Sequence, residues 1–261
     1  MKKIDAIVLS GGIPKPDTPL YEYTQGKPKA LLDICGKPMI QWVLNALEGA
    51  ESINQIVIVG LTDESAVTCS KVSAFIPSLG DMMENGRAGL KKVLELNPKA
   101  HHVLAASSDI PAIKPAIVDW VVNTASETDD DIYYNLITRQ VMEARFPGSK
   151  RSFTKLKDVE VCGGDMNVVS ALTVTENDEL FKKVLAARKN VFKQAALIGY
   201  DTLFLLLLRR IDTKGAVEKV TKKLNITGRA ILCPYAEVGM DVDKPHQLDI
   251  LRADLSKQES A

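Results

Sequence analysis

Short apolar runs alternate along the first half of the chain with segments whose apolar residues recur every three or four positions, the pattern of strands interleaved with amphipathic helices. The runs Ile4–Leu9, 55–59, Val72–Ile76 and 102–106 predict strands. Between them Pro38 opens a helix at a first-turn position, and Met39, Ile40, Val43, Leu44 and Leu47 form its apolar stripe. Two more helices are predicted over 81–96 and 114–125. The regularity then loosens: 132–137 and 168–174 read as strands, 178–224 as several helices, 226–233 as a late strand, and a last helix begins at Pro245. Alternation of this kind builds a mostly parallel sheet covered by helices. The expectation is a single α/β domain over residues 1–261, a mixed, mostly parallel sheet flanked by helices, with a helical insertion at about 176–225.

Composition narrows the class of protein without naming a chemistry. With 46% hydrophobic and 25% charged residues the chain is an ordinary globular one, and its 33 basic and 33 acidic residues cancel. A neutral total without a basic run offers no electrostatic footprint for nucleic acid or an anionic membrane, while leaving room for a local charged pocket. Cys35, Cys69, Cys162 and Cys233 are scattered without a CxxC pair, which predicts reduced packing thiols and a cytoplasmic location. The opening MKKIDAIVLSGG reads as a first strand, since Asp5 interrupts its apolar run and Gly-Gly ends it. The most apolar segment, 195–210, contains Asp201 and is too short for a membrane span, so a buried helix is expected there.

In open α/β sheets, ligands bind beyond the carboxyl ends of the strands, so polar residues that follow apolar runs carry the candidate chemistry. After strand one come Ser10, Gly11 and Gly12, and then a loop of about twenty residues before the first full helix; connections that long in compact domains are often functional. Successive glycine amides can cradle an anion, although Gly-Gly after a strand is by itself an ordinary turn. Neither GxGxxG nor GxxxxGK[ST] is present. Lys29 and Lys37 follow, eight positions apart around a short apolar segment, and a cation facing the Gly-Gly amides would complete a phosphate site.

Gly-Gly, then Lys-Ala-Leu-Leu, then Gly-Lys-Pro-Met-Ile resembles the signature of the sugar-phosphate and cofactor nucleotidyltransferases, a family with a GT-A-like fold. The resemblance implies that Ser10, Gly11 and Gly12 hold the nucleotide, and that Lys29 contacts phosphate oxygens and offsets charge in the transition state. Asp109 follows the fourth strand in an Asp-x-Pro turn and reads locally as a turn cap; the resemblance makes it a Mg²⁺ ligand. Asp241 and Asp243 alternate on an extended segment, so both carboxylates can face one cation, while Asp243 also suits a helix N-cap. In the family the last of these acids joins the first aspartate on magnesium, and here Asp243 is the stronger match to it. A glycine pair, Gly163 and Gly164, precedes Asp165 and Asn167; such pairs are commonly bulges, and the resemblance places the four residues along the acceptor pocket. His101 and His102 read as surface or edge residues, and Lys150, Arg151, Lys155 and Lys157 as a solvated strand face.

The chain departs from the family in one respect, because Ile13 to Gly26 contains no arginine, where members carry one soon after the glycines. Lys15 and Lys27 are the bases available in that loop. The resemblance implies a Mg²⁺-dependent enzyme that transfers NMP from an NTP to a phosphorylated small-molecule acceptor and releases pyrophosphate. Two alternatives differ in class: a nucleotide-sugar-dependent glycosyltransferase, for which Ser107-Ser108-Asp109 lacks the usual D-x-D, and a non-catalytic nucleotide-binding protein, for which the missing arginine is the motive.

Overall fold

A computed structural model of the chain describes residues 2–62, 66–176, 202, 205 and 208–259. The strands are β1 (Ile4–Leu9), β2 (Asp33–Ile34), β3 (Lys37–Pro38), β4 (Ile53–Val59), β5 (Val72–Ile76), β6 (His102–Ser107), β7 (Ile132–Thr138), β8 (Thr154–Lys155), β9 (Glu160–Gly163), β10 (Met166–Ser170) and β11 (Gly228–Leu232). The helices are α1 (Tyr21–Thr24), α2 (Met39–Gly49), α3 (Met82–Leu96), α4 (Pro115–Ala125), α5 (Arg139–Arg145), α6 (Ala171–Glu176), α7 (Thr213–Leu224) and α8 (Pro245–Glu259). Apart from the β2–β3 hairpin, the strands form one sheet in the order β5-β4-β1-β6-β10-β7-β9-β8, with β11 parallel to β7. β5, β4, β1 and β6 run parallel, and β10 enters antiparallel between β6 and β7. This is the mixed, mostly parallel sheet expected from the alternation of patterns.

β1 explains why a continuous apolar run makes a parallel strand. Ile4, Ala6 and Val8 pack into the larger core beneath α2 and α4, while Ile7 points the other way against Val59, Leu90 and Val93. Covered on both faces, the strand needs no polar side. All five residues of the predicted α2 stripe are buried. Asp81 caps α3 by accepting the Met83 N–H at 2.8 Å, close to the boundary expected from sequence.

Three expectations are revised. The strand predicted over 168–174 ends at Ser170, where Ser170 Oγ accepts the Thr173 N–H at 3.4 Å and α6 begins, so a cap overrides the β-branched run. His102, expected at the surface or an edge, is buried on β6 with its ring edge against Tyr133. The short elements α5, β8 and β9 escaped the pattern altogether. Of the helices expected over 178–224, α7 is described; most of residues 178–212, including the bulk of the 195–210 apolar segment, lies outside the described residues.

Candidate active site

The sheet order reverses at β1, whose two neighbours, β4 and β6, lead away in opposite directions. Such a switch point opens a crevice at the carboxyl ends of the strands. Leu9 is in register with Ser107, so Ser10–Gly12 and Ser108–Asp109 emerge side by side there. Because β10 is antiparallel to β6, its amino end reaches the same edge: the Ser107 N–H donates to the Asp165 carbonyl at 2.8 Å. Asp109 and the segment after residue 240 are tied by the Val242 N–H, which donates to the Asp109 carbonyl at 3.0 Å. Gln247 completes this junction by accepting the Asp243 and Lys244 N–H groups at 3.0 and 2.9 Å, which anchors the start of α8.

A cavity of about 270 Å³ lies at the switch point, lined by Gly11, Gly12, Lys29, Asn85, Ser108 and Asp109 among others. The amino end of α3 forms one wall, with Gly80 and Met82 also lining it. Helix amino termini favour anions through their free N–H groups and dipole. Asn85 was not legible as a site residue from sequence; it is buried, accepts the Leu79 N–H at 2.7 Å and donates to Ser78 Oγ at 3.2 Å, shaping the turn before the helix.

The two halves of the glycine motif have different reasons to be glycine. A Cβ on Gly11 would lie 2.7 Å from Ser78 Oγ and 2.8 Å from Asn85 Nδ2, whereas one on Gly12 would meet nothing within 4 Å. Packing demands the first glycine, and the second faces open space at the cavity. Ser10 lines the cavity with its hydroxyl already donated to the Val59 carbonyl at 2.9 Å, so its side chain ties β1 to β4.

The long loop closes on itself. The Lys29 N–H donates to the Gly12 carbonyl at 2.8 Å, so the two motif residues are joined at the neck of an excursion that buries Leu20 and Thr24. Of the two lysines predicted near the phosphate site, Lys29 lines the cavity, and Lys37 lies over the Trp42 ring, 4.6 Å from its centroid. Lys15 and Lys27 are exposed on the loop.

Lys29 Nζ bridges two of the predicted carboxylates, 2.6 Å from Asp109 Oδ2 and 2.7 Å from Asp243 Oδ1. Burial favours the neutral amine, but the charges of Asp109 and Asp243 outweigh it and raise the Lys29 pKa above its ordinary value. Asp109, Asp241 and Asp243 each bring an oxygen within 4.8 Å of the other two, so the three predicted metal ligands converge. Arg151, expected on a solvated face, is instead largely buried: its guanidinium is hydrogen-bonded to Asp241 and lies 3.8 Å from Asp165 Oδ2. The sequence signal for it was weak, because a basic run before a strand looks the same whether one member turns inward or none does. Lys155 of the same run does stay outside, paired with Glu160 at 3.0 Å.

The acceptor-side residues separate into supports and a candidate. The Cβ position of Gly163 falls 2.2 Å from the Tyr134 hydroxyl, and that of Gly164 falls 2.9 Å from Val238, so both glycines answer to packing. Asn167 accepts the Asn135 N–H and donates to the Gly164 carbonyl, each at 2.8 Å, which fixes the turn between β9 and β10. Asp165, held on that turn, faces the carboxylate cluster. Burial, reinforced by the charge of Asp109 and opposed by Arg151, pushes its pKa up to about 7.

The donor set suits a hard cation. Three carboxylates converge, and Asp109 Oδ1 is buried with no hydrogen-bond partner among the described residues, an arrangement that favours an oxygen-seeking ion such as Mg²⁺.

A family model of the MobA-like NTP transferase domain matches residues 6–174, and the chain belongs to that family. The chain is 30% identical over 115 residues to the mitochondrial 3-deoxy-manno-octulosonate cytidylyltransferase of Arabidopsis thaliana, and 30% identical over 113 residues to the 3-deoxy-manno-octulosonate cytidylyltransferase of Aliivibrio fischeri. These matches span 44% and 41% of this chain, and 39% and 44% of the relatives, so less than half of each relative is covered. Among solved structures, a hypothetical transferase from Thermus thermophilus superposes with a TM-score of 0.82 at 30% identity, covering 94% of this chain and 99% of that one. The fold also matches a CMP:2-keto-3-deoxy-manno-octonic acid synthetase complexed with CTP, with a TM-score of 0.58 at 12% identity and coverage of 99% and 100%. No helix among the described residues is long and apolar enough to cross a membrane.

Proposed function

We propose that this protein transfers NMP from an NTP to an anionic small-molecule acceptor, using Mg²⁺ and releasing pyrophosphate. The observation that carries the reading is the convergence of Asp109, Asp241 and Asp243 beside a cavity walled by Gly11, Gly12 and the amino end of α3. On this reading the triphosphate lies in the cavity against the Gly12 backbone and the α3 terminus, both of which favour anions. Asp109 and Asp243 would hold Mg²⁺, with Asp241 alongside. The ion supplies charge neutralisation and a template for in-line displacement at the α-phosphorus.

The chain's own groups do the rest. Lys29 is protonated at neutral pH, its pKa held above the ordinary value, and would offer its ammonium to phosphate oxygens of the triphosphate. Arg151, beside Asp241 and Asp165, would offer a planar fork to the phosphate or carboxylate of the acceptor. Asp165 borders the acceptor side, where its buried Oδ2, without a hydrogen-bond partner among the described residues, can accept a hydrogen bond from an acceptor hydroxyl. The cytidylyltransferase names of the relatives make CTP the first nucleotide to try and an acidic sugar the first acceptor.

The test is pyrophosphate release by the purified chain with each of the four NTPs, Mg²⁺, and a panel of sugar phosphates and sugar acids. Acceptor-dependent release that disappears in Asp109→Asn is the expected result. Release of a nucleoside diphosphate from a nucleotide sugar, or tight NTP binding without turnover on any acceptor, would overturn the reading.

A further inference from the structure

A second cluster of ligating side chains stands at the opposite end of β6 from Asp109. His102 begins this strand, His101 immediately precedes it, and Asp129 comes from the loop that leads into β7. Asp109 follows the strand's other end, and at about 3.3 Å per residue the two ends are about 20 Å apart. This cluster therefore belongs to neither the cavity nor the carboxylate site.

Its geometry is that of a metal site of the softer kind. His101 Nδ1 lies 3.2 Å from His102 Nδ1 and 3.4 Å from Asp129 Oδ1, and each of the three residues brings one ligand atom within 4.8 Å of the other two. Two donors bound at about 2.0–2.1 Å to one tetrahedral zinc ion are separated by about 3.3 Å, so the two edges at His101 match a shared ion; the third is longer, with Asp129 Oδ1 4.0 Å from His102 Nε2, and is closed by rotation of the exposed Asp129 side chain toward Nδ1. His102 Nε2 is 2.8 Å from the Asp130 carbonyl, a contact that places the proton on Nε2 and leaves Nδ1 with its lone pair. A ligating histidine is commonly oriented through its other nitrogen in this way. The two Nδ1 atoms then share one hydrogen: His101 donates, His102 accepts. Moving that hydrogen to His101 Nε2 opens both Nδ1 lone pairs to a cation with no proton lost from the protein. His102 is buried, and burial lowers its pKa, which keeps it neutral and able to ligate. His101 and Asp129 are exposed, so an ion can arrive from solvent.

We propose that His101, His102 and Asp129 form a binding site for a first-row transition-metal ion, Zn²⁺ in particular, that clamps the start of β6 to the loop before β7. Two imidazoles and one carboxylate suit zinc, cobalt or nickel and discriminate against magnesium, whose preference is for an all-oxygen set. One coordination position remains for water. The clamp is remote from the carboxylate site and its role is stabilisation of the fold.

Zinc titration of the full chain by calorimetry, in excess Mg²⁺ to fill the all-oxygen site, provides the test. Co²⁺ absorption is recorded in parallel to report nitrogen ligation and coordination number. Because His102 is buried and its loss could disturb β6, the variants are His101→Ala and Asp129→Ala. The expected result is one zinc equivalent in the parent, four-coordinate Co²⁺ bands, and at least a tenfold loss of zinc affinity in His101→Ala, with a smaller loss in Asp129→Ala. Zinc affinity unchanged in His101→Ala, or zinc binding that vanishes in Asp243→Asn and survives in His101→Ala, would overturn the proposal.

Discussion

Lys29→Ala separates two things the lysine does. In the metal-free protein its ammonium holds Asp109 and Asp243 together, and both Lys29 and Asp109 are only 16% exposed, so this contact is scarcely screened. A charge-assisted hydrogen bond of that kind contributes about 1.5–3 kcal/mol. Asp243 is 57% exposed, and its share is discounted to about 0–1 kcal/mol. The variant therefore loses about 1.5–4 kcal/mol, and for a chain of this size each kcal/mol moves Tm by about 2–4 °C, so the metal-free melting temperature falls by about 3–16 °C. A loop lysine looks dispensable for stability from sequence; the two carboxylates make it otherwise. Mg²⁺ then has one fewer competitor, and it should raise the Tm of the variant more than that of the parent. Turnover responds differently, because a cation acting on phosphate oxygens contributes about 3 kcal/mol to the transition state, equivalent to about a hundredfold in rate. Thermal melts with and without Mg²⁺, set beside initial rates of pyrophosphate release, read both effects. A variant with parental turnover, or one whose lost stability Mg²⁺ does not restore, refutes the double role.

Gly12→Ala places a methyl group where nothing lies within 4 Å, so Tm should hold within a degree while NTP affinity falls by about tenfold, since the methyl enters space reserved for phosphate; unchanged affinity by calorimetry would put the nucleotide elsewhere. Asp165 gives a pH signature. Its folded pKa of about 7 stands above the usual 3.8, so the folded state holds its proton more firmly than the unfolded chain, and the contribution of Asp165 to stability is complete below pH 3.8 and is lost as pH rises through 7. Urea melts in metal-free buffer should show that decline in the parent and a flatter profile in Asp165→Asn; matching profiles would contradict the assignment.

The regular half of the fold was legible because its strands are covered on both faces and its helices on one, and burial writes itself into the sequence as runs and stripes. The carboxylates were legible by another route: local order places Asp109 after an apolar strand and Asp241 and Asp243 two apart, but it reads Asp109 as a turn cap and suits Asp243 to a helix cap, and the resemblance to the family singled them out. What local order does not contain is partnership. Arg151 turns inward because Asp241, ninety positions later, waits for it, and nothing in SKRSFTKLKD says so. His102 is buried because β10 pairs beside β6, with Ser170 in register with His102, and Tyr133 of β7 packs on its ring, a long-range event. The revised end of β10 had a visible signal in Ser170, a cap residue followed by Ala-Leu-Thr, outweighed by the valines before it. Even the pair Gly163-Gly164, conspicuous as a motif, answers first to Tyr134 and Val238.

The central claim is that Asp109 and Asp243 exchange the Lys29 ammonium for a divalent ion when nucleotide binds. A crystal of the chain grown with Mn²⁺ and a non-hydrolysable NTP tests this most directly, because the anomalous signal of manganese locates the ion independently of the refined protein. The account predicts a strong peak coordinated by Asp109 and Asp243, triphosphate against Gly12 and the amino end of α3, and Lys29 moved from both carboxylates onto a phosphate. Manganese bound elsewhere, with Lys29 still bridging Asp109 and Asp243 beside a bound nucleotide, would contradict it.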